Sequence, residues 1–373
     1  MTLRGLLVTA AVVLCRDVRG QAVWEAPSTI DPLRASNGWV ATIPFADDGN
    51  PFLIMVRARL AGITRWWLID SGTGRCQVSK ELAARLPRGG TGRVTVTLAT
   101  GAMVACDSLV PENMRAWTND LGRPIDGVLG YDLFSRYVVQ IDYAAHAMRL
   151  YDPAVYRYAG HGDTIALTFD ARHPRILVHI TDGSLVAIRR APYLVTGSGD
   201  GVNDSLVASS PTAPRYQVET SNDGISGTAI EGTLQSVQLG RYSLANVPST
   251  ADGPGIIGGA ALRQFTCIMD FRHSRLFIEP NEHFGDVFDR GPRSGLTFLA
   301  SSVSRAPIVA AVIPGSPGAA AGILAGDVIE ELDGHASPEL GADRIERLIN
   351  RAGNSYDLVI VRHRRRLRIM LRV

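Results

Sequence analysis

A carboxylate at the end of an apolar run is the first residue whose surroundings could do chemistry. Trp66-Trp67-Leu68-Ile69 leads into Asp70-Ser71-Gly72-Thr73. An aspartate followed by hydroxyl, glycine and hydroxyl suits a tight loop. The N–H and O–H groups of such a loop can hold the carboxylate and lower its pKa. The same residues are favourites of ordinary turns, so the motif carries weight only in context. The context is a second apolar run, Tyr193-Leu194-Val195, entering Thr196-Gly197-Ser198. That loop keeps the glycine and hydroxyls but has Val195 where the first has Asp70.

Both loops belong to an internal repeat with a separation of about 125–128 residues. After the first come Asp126-Gly127-Val128-Leu129-Gly130-Tyr131, then Val138–Tyr143 and Met148–Tyr151. After the second come Gly255-Ile256-Ile257-Gly258-Gly259, then Cys267–Phe271 and Arg275–Ile278. Order and spacing agree throughout. Short apolar or alternating runs (Phe52–Val56, Val94–Leu98, Tyr137–Asp142, Ile176–Ile180) separated by Gly, Asn, Asp and Pro turns read as strands. Ser79–Leu86, with a Ser cap, is the clear helix candidate of the first copy. Trp66 and Trp67, adjacent in a strand, must face opposite sides.

Apolar–Asp-Ser-Gly-Thr followed some fifty-five residues later by an apolar–Gly segment and a helix resembles the retropepsin-like and pepsin-like aspartic peptidases. The resemblance covers residues 37–282. It implies a mainly β fold of two pepsin-like lobes, 37–155 and 156–282, forming a cleft. It further implies that Asp70 is a catalytic aspartate, with Ser71, Gly72 and Thr73 as its supporting loop. The turn Thr100–Val104, with Gly101, lies where that family places a substrate-covering flap. The family mechanism shares one proton between two carboxylates, and Val195 breaks it. Three readings compete. The chain is a pseudopeptidase that binds peptide without cleaving it; or Asp70 meets its copy across a homodimer; or Asp200 or Asp204 supplies the second carboxylate. A strand would carry those last two roughly 13 Å away at about 3.3 Å per residue.

From about Arg290 the pattern changes. Ala319–Ile329, then Leu332-Asp333-Gly334, with Pro314-Gly315-Ser316-Pro317 ahead of them, resembles a bacterial PDZ domain over residues 286–373. The resemblance implies a carboxylate-binding loop at Arg293–Phe298. Arg293 and Gly295 would lie in the loop, Leu296 and Phe298 would line the pocket, and helix Ala342–Asn350 would form the opposite wall. Its partners would be the C-terminal tails of peptides.

The formal net charge of +2 points to no nucleic-acid partner. The basic run Arg362–Arg366 falls at an expected hairpin turn and reads as solvated. His146, His161 and His173 fall in turn-like segments and read the same way. Residues 1–22 read as a signal peptide: Arg4, the apolar run Gly5–Cys15, and small residues at Gly20 and Ala22. The run is shorter than the about 20 residues that span a bilayer, so the expected product is periplasmic or extracellular, with no transmembrane segment. Cys76 and Cys106, in one repeat, are candidates for a disulfide, and Cys267 reads as a buried thiol. No cysteine has neighbours at metal-ligand spacing, so the sequence offers no metal site and asks for no cofactor.

Overall fold

The computed structural model describes residues 15–16, 22–23, 37–46, 50–86, 92–114, 124–184, 186–210, 215–222, 225–251, 255–288, 294–299, 306–313, 315–340, 345, 348–349 and 353–373. The described chain is mainly β, with helices of six residues or fewer. The signal-peptide reading and Arg293 therefore lie almost or entirely outside the described residues. Among them, no helix is long and apolar enough to cross a membrane.

The repeat in the sequence is a repeat in the fold. The first half builds a seven-stranded sheet in the order 103–106, 94–98, 55–60, 63–69, 127–129, 77–79 and 110–112. Alternation drives it: in Met55–Leu60, Arg57 and Arg59 point outward while Ala58 and Leu60 are buried. At its centre, Ile63–Ile69 runs parallel to Gly127–Leu129, with Ile69 opposite Leu129. In the second half, Tyr193–Leu194 runs parallel to Ile256–Ile257, with Leu194 opposite Ile257. Each aligned pair ends where one of the two loops begins.

The halves are joined by a shared run of strands within a larger sheet, in the order 39–44, 147–151, 138–142, 265–270, 275–280 and 163–170. Three strands come from each half. Val138–Asp142 and Phe265–Asp270 pair antiparallel at the middle, with Ile141 opposite Cys267. One apolar core runs through both halves and includes Trp67, Phe134, Ile141, Phe265 and Cys267. Each large side chain buried this way stabilises the fold by about 1.5–3 kcal/mol. Trp67 is fully buried, whereas Trp66 is half-buried, with the Arg57 guanidinium 5.1 Å above its ring.

Several expected elements shift. The helix is only Lys80–Ala83, capped by Ser79 Oγ, which accepts from Leu82 N–H at 3.2 Å. The run Ile176–Ile180 is cut at exposed Leu177, where the chain changes partners. His173–Ile176 pairs with 167–170, and Val178–Thr181 pairs with 236–239.

A separate sheet at the C-terminus is ordered Leu296–Leu299, Ile308–Val312, Val328–Leu332, Ser355–Arg362 and Arg365–Arg372, with His335–Ala336 added to the third strand. It has its own core, including Leu296, Val309, Ile329, Ile345, Ile349 and Leu358. The basic run turns the last hairpin through His363 and Arg364, at φ 47° and 65°. Its flanking arginines are occupied: Arg362 pairs with Asp327 at 2.7 Å, and Arg366 pairs with Glu330 and Glu331.

Candidate functional site

The two loops meet face to face and exchange hydrogen bonds in mirrored fashion. Ser71 N–H donates to Thr196 Oγ1 at 3.0 Å, and that hydroxyl donates to the Ile69 carbonyl at 3.0 Å. In return Thr196 N–H donates to Ser71 Oγ at 3.1 Å, and Ser71 Oγ donates to the Leu194 carbonyl at 2.7 Å. Both hydroxyl side chains are fully buried. Each carries a donor and an acceptor role that the low-dielectric surroundings would make costly to leave unmet.

The correspondence extends to the flanks. Asp70 N–H donates to the Leu129 carbonyl at 3.0 Å, and Val195 N–H donates to that of Ile257 at 2.9 Å. The Thr73 carbonyl accepts from Tyr131 N–H, and the Ser198 carbonyl accepts from Gly259 N–H. Ser71 thus matches Thr196, and Asp70 matches Val195. Gly72 and Gly197 are both needed for the close approach. A Cβ on Gly197 would stand 2.5 Å from Asp70 Cγ, and one on Gly72 would stand 2.7 Å from Val195 Cγ2.

Asp70 is buried, with 4% of its surface exposed. Its Oδ1 accepts both loop amides, Gly72 N–H at 2.8 Å and Gly197 N–H at 3.1 Å, and its Oδ2 accepts the Thr73 hydroxyl at 2.5 Å. The sequence motif points to a lowered pKa, and the structure reverses that sign. Burial pushes the carboxyl above its ordinary value and outweighs the Thr73, Gly72 and Gly197 hydrogen bonds and the charge of His173, all of which favour the ionised form.

Of the two proposed substitutes for a second carboxylate, Asp200 stays on the second loop and Asp204 is committed elsewhere. Asp200 Oδ2 accepts from Ser198 Oγ at 2.9 Å. Asp204 pairs with Arg190 at 3.1 Å and accepts Leu206 N–H. His173, read from the sequence as a solvated turn residue, instead packs beside the site: a Cβ on Gly74 would stand 3.0 Å from its Nε2. On the opposite flank Asn50 packs against Gly199 in the same way. Spacing gave no signal for His173, because a hairpin from the other half delivers it. His161 is exposed, and His146 stacks on Phe45 with centroids 5.8 Å apart.

The candidate flap is a hairpin of Val94–Leu98 and Met103–Cys106. Its turn passes through Gly101 at φ 88°, and Met103 is exposed. Tyr137 Oη donates to the Met103 carbonyl at 2.8 Å. Cys76 and Cys106 are free buried thiols, not a disulfide. The Cys106 side chain and then burial push the Cys76 thiol well above its ordinary value.

In the C-terminal sheet, Leu296–Leu299 pairs with Ile308–Val312 along one edge. Among the described residues no strand pairs with its other edge. Gly295, at φ 71°, opens that strand, and its carbonyl accepts Ile313 N–H at 2.8 Å. Leu296 does not line an open pocket as expected; it is fully buried against Gly318, and its N–H donates to Ser294 Oγ. Phe298 is half-buried on the same core. Ile345 and Ile349, from the expected wall helix, are buried there too. A family model described as a PDZ domain matches residues 308–362. Residues 308–362 are a PDZ domain. A PDZ domain protein from Parabacteroides distasonis is 32% identical over 21% of this chain and 19% of that one, with a TM-score of 0.20. That match spans about a fifth of the bacterial protein. Basic 7S globulin from soybean matches 66% of this chain and 96% of its own at 10% identity and a TM-score of 0.42. No curated protein matches the chain.

Proposed function

We propose that residues 37–282 form a two-lobed cleft of the aspartic-peptidase type that binds extended peptides, in an exported protein whose PDZ domain takes peptide tails. One observation carries this reading: the loops retain their full mutual hydrogen bonding, while a single carboxylate, Asp70, stands against Val195. Two carboxylates sharing a proton activate water and protonate the scissile carbonyl together. Removing one member of a unit that acts jointly costs several orders of magnitude in rate. Peptide binding with lost or severely reduced hydrolysis follows. The matching loop of the same chain occupies the surface that Asp70 of a second copy would need, so dimerisation has no part in this reading.

Hydrolysis through Asp70 is the second reading, and it too has an observation behind it. The carboxylate is raised in pKa by burial and oriented by three donors, a combination that suits a proton-transferring group. The test is cleavage and binding of a peptide library between about pH 3 and 8 by the full chain and by Asp70→Asn. Binding without cleavage in both supports the first reading. Cleavage lost in the variant supports the second, and absence of peptide binding to either rejects the cleft.

At the PDZ domain, the free edge of Leu296–Leu299 would add a peptide strand, and the loop Arg293–Leu296 would receive its terminal carboxylate. Amidating a bound peptide's C-terminus is expected to weaken binding at least tenfold; equal affinity by calorimetry would reject this mode.

A further inference from the structure

Three segments that lie far apart in sequence converge beneath the candidate flap. Cys76 follows the Asp70 loop, Cys106 ends the return strand of the flap hairpin, and Asp132 lies in the first turn of the helix Tyr131–Arg136. Their Sγ, Sγ and carboxylate oxygen atoms all lie within 4.8 Å of one another, and all three residues are buried. Two buried thiols alone would be an ordinary packed pair. A carboxylate with 8% exposure at the same point is poor packing material, but it completes a donor set for a borderline-soft cation.

We propose that Cys76, Cys106 and Asp132 bind a divalent cation of the zinc class. Bonds of about 2.3 Å to sulfur and about 2.0–2.2 Å to oxygen put tetrahedral ligand atoms roughly 3.5–4 Å apart, which these separations accommodate. The Asp132 carboxylate is held in place from both of its oxygens. Its Oδ2 accepts Cys76 N–H at 3.1 Å, and its Oδ1 lies 3.9 Å from Arg172 Nη1. Such partners around a ligating group fix its direction. A cleft lined by Arg75, Asp107, Ser108, Asp132 and Arg172 opens beside the cluster. It reaches the cluster at Asp132, the side from which a water would fill the fourth position. Binding releases the two thiol protons to solvent. Two thiolates, one carboxylate and a doubly charged ion leave one negative charge, which Arg172 meets. The ion would fasten the flap hairpin to the exit of the Asp70 loop, and it does so whether or not the cleft cleaves peptides.

The experiment is a cobalt titration of the full chain, reduced and chelator-stripped, in a Cys15→Ser, Cys267→Ser background. A sulfur-to-cobalt charge-transfer band is expected, displaced by one equivalent of zinc. Cys76→Ser or Cys106→Ser should each abolish or halve the band, and Asp132→Asn should weaken binding at least tenfold. Circular dichroism keeps the test valid by confirming that each variant folds. Absence of the band, or its persistence unchanged in both cysteine variants, overturns the site. So does peptide mapping of the isolated protein that finds Cys76 and Cys106 joined as a disulfide.

Discussion

At Asp70 the loop presents a carboxylate whose Oδ1 collects two backbone amides; at Val195 the corresponding loop presents two methyl groups to the same space. The backbone hydrogen bonds on either side of the two positions are matched, and so are the hydroxyls that cross from each loop to the other. Gly197 N–H, which belongs to the Val195 loop, serves Asp70 instead of a carboxylate of its own. Two jobs are thereby separated within one motif. The hydroxyl and glycine positions join the halves, and that role survives unchanged in both loops. The first position, where the proposed acid–base chemistry would reside, differs without disturbing the joint.

The strongest way to break that separation is to restore symmetry. Val195→Asp places a second carboxylate in a loop already shaped for one. Peptide cleavage is expected to rise by at least about a thousandfold over the unmodified chain, and to vanish again in Asp70→Asn/Val195→Asp. A folded Val195→Asp protein that stays silent across acidic pH would mean that the joint alone, without the chemistry, is what the cleft retains.

The structural half is tested by Thr196→Ala and Ser71→Ala. Each removes a buried hydroxyl that serves a donor and an acceptor of the other half. Each should therefore destabilise the fold by about 1–3 kcal/mol, read as a lower urea midpoint at unchanged slope. Because the exchange is mirrored, the two losses should be similar. A loss at one position only would show that the joint is not symmetric in energy.

A smaller effect should separate the loops by pH. The Asp70 carboxyl is raised by burial above its ordinary 3.8, so the folded chain holds that proton more tightly than the unfolded chain. Its contribution is present at pH below the ordinary value and is lost as pH rises through the folded value. Asp70→Asn lacks this titration. Urea midpoints measured from about pH 3.5 to 7 should therefore fall for the wild-type chain relative to Asp70→Asn. Parallel curves would mean that the hydrogen bonds to Asp70 cancel the burial cost.

Much of this was legible in the chain. Alternation and turn residues gave Val94–Leu98 to the residue, whereas Phe52–Val56 shares only Met55 and Val56 with the strand Met55–Leu60. The apolar–Gly segments Leu129-Gly130 and Ile257-Gly258 marked where each loop would be braced. Other features were out of reach. Ile176–Ile180 reads as one apolar strand, yet it breaks at Leu177 because the chain must leave one pairing for another. Leu296 reads as a pocket residue and is a core residue, since the local pattern cannot say which face of the edge strand the domain interior claims.

Residue type and spacing along the chain were enough for the repeat, for Asp70 and Val195 at matching positions, and for a PDZ domain after the second repeat. Which groups act on one another was settled in three dimensions. The fold brought His173 beside Gly74, sent Asp204 to Arg190, drew Cys76, Cys106 and Asp132 together, and raised the Asp70 pKa that the motif alone would lower. The physical reason is common to all four. Electrostatic and coordination chemistry depend on distance and burial, and in a β fold closed by long-range pairing both are set by strands distant in sequence.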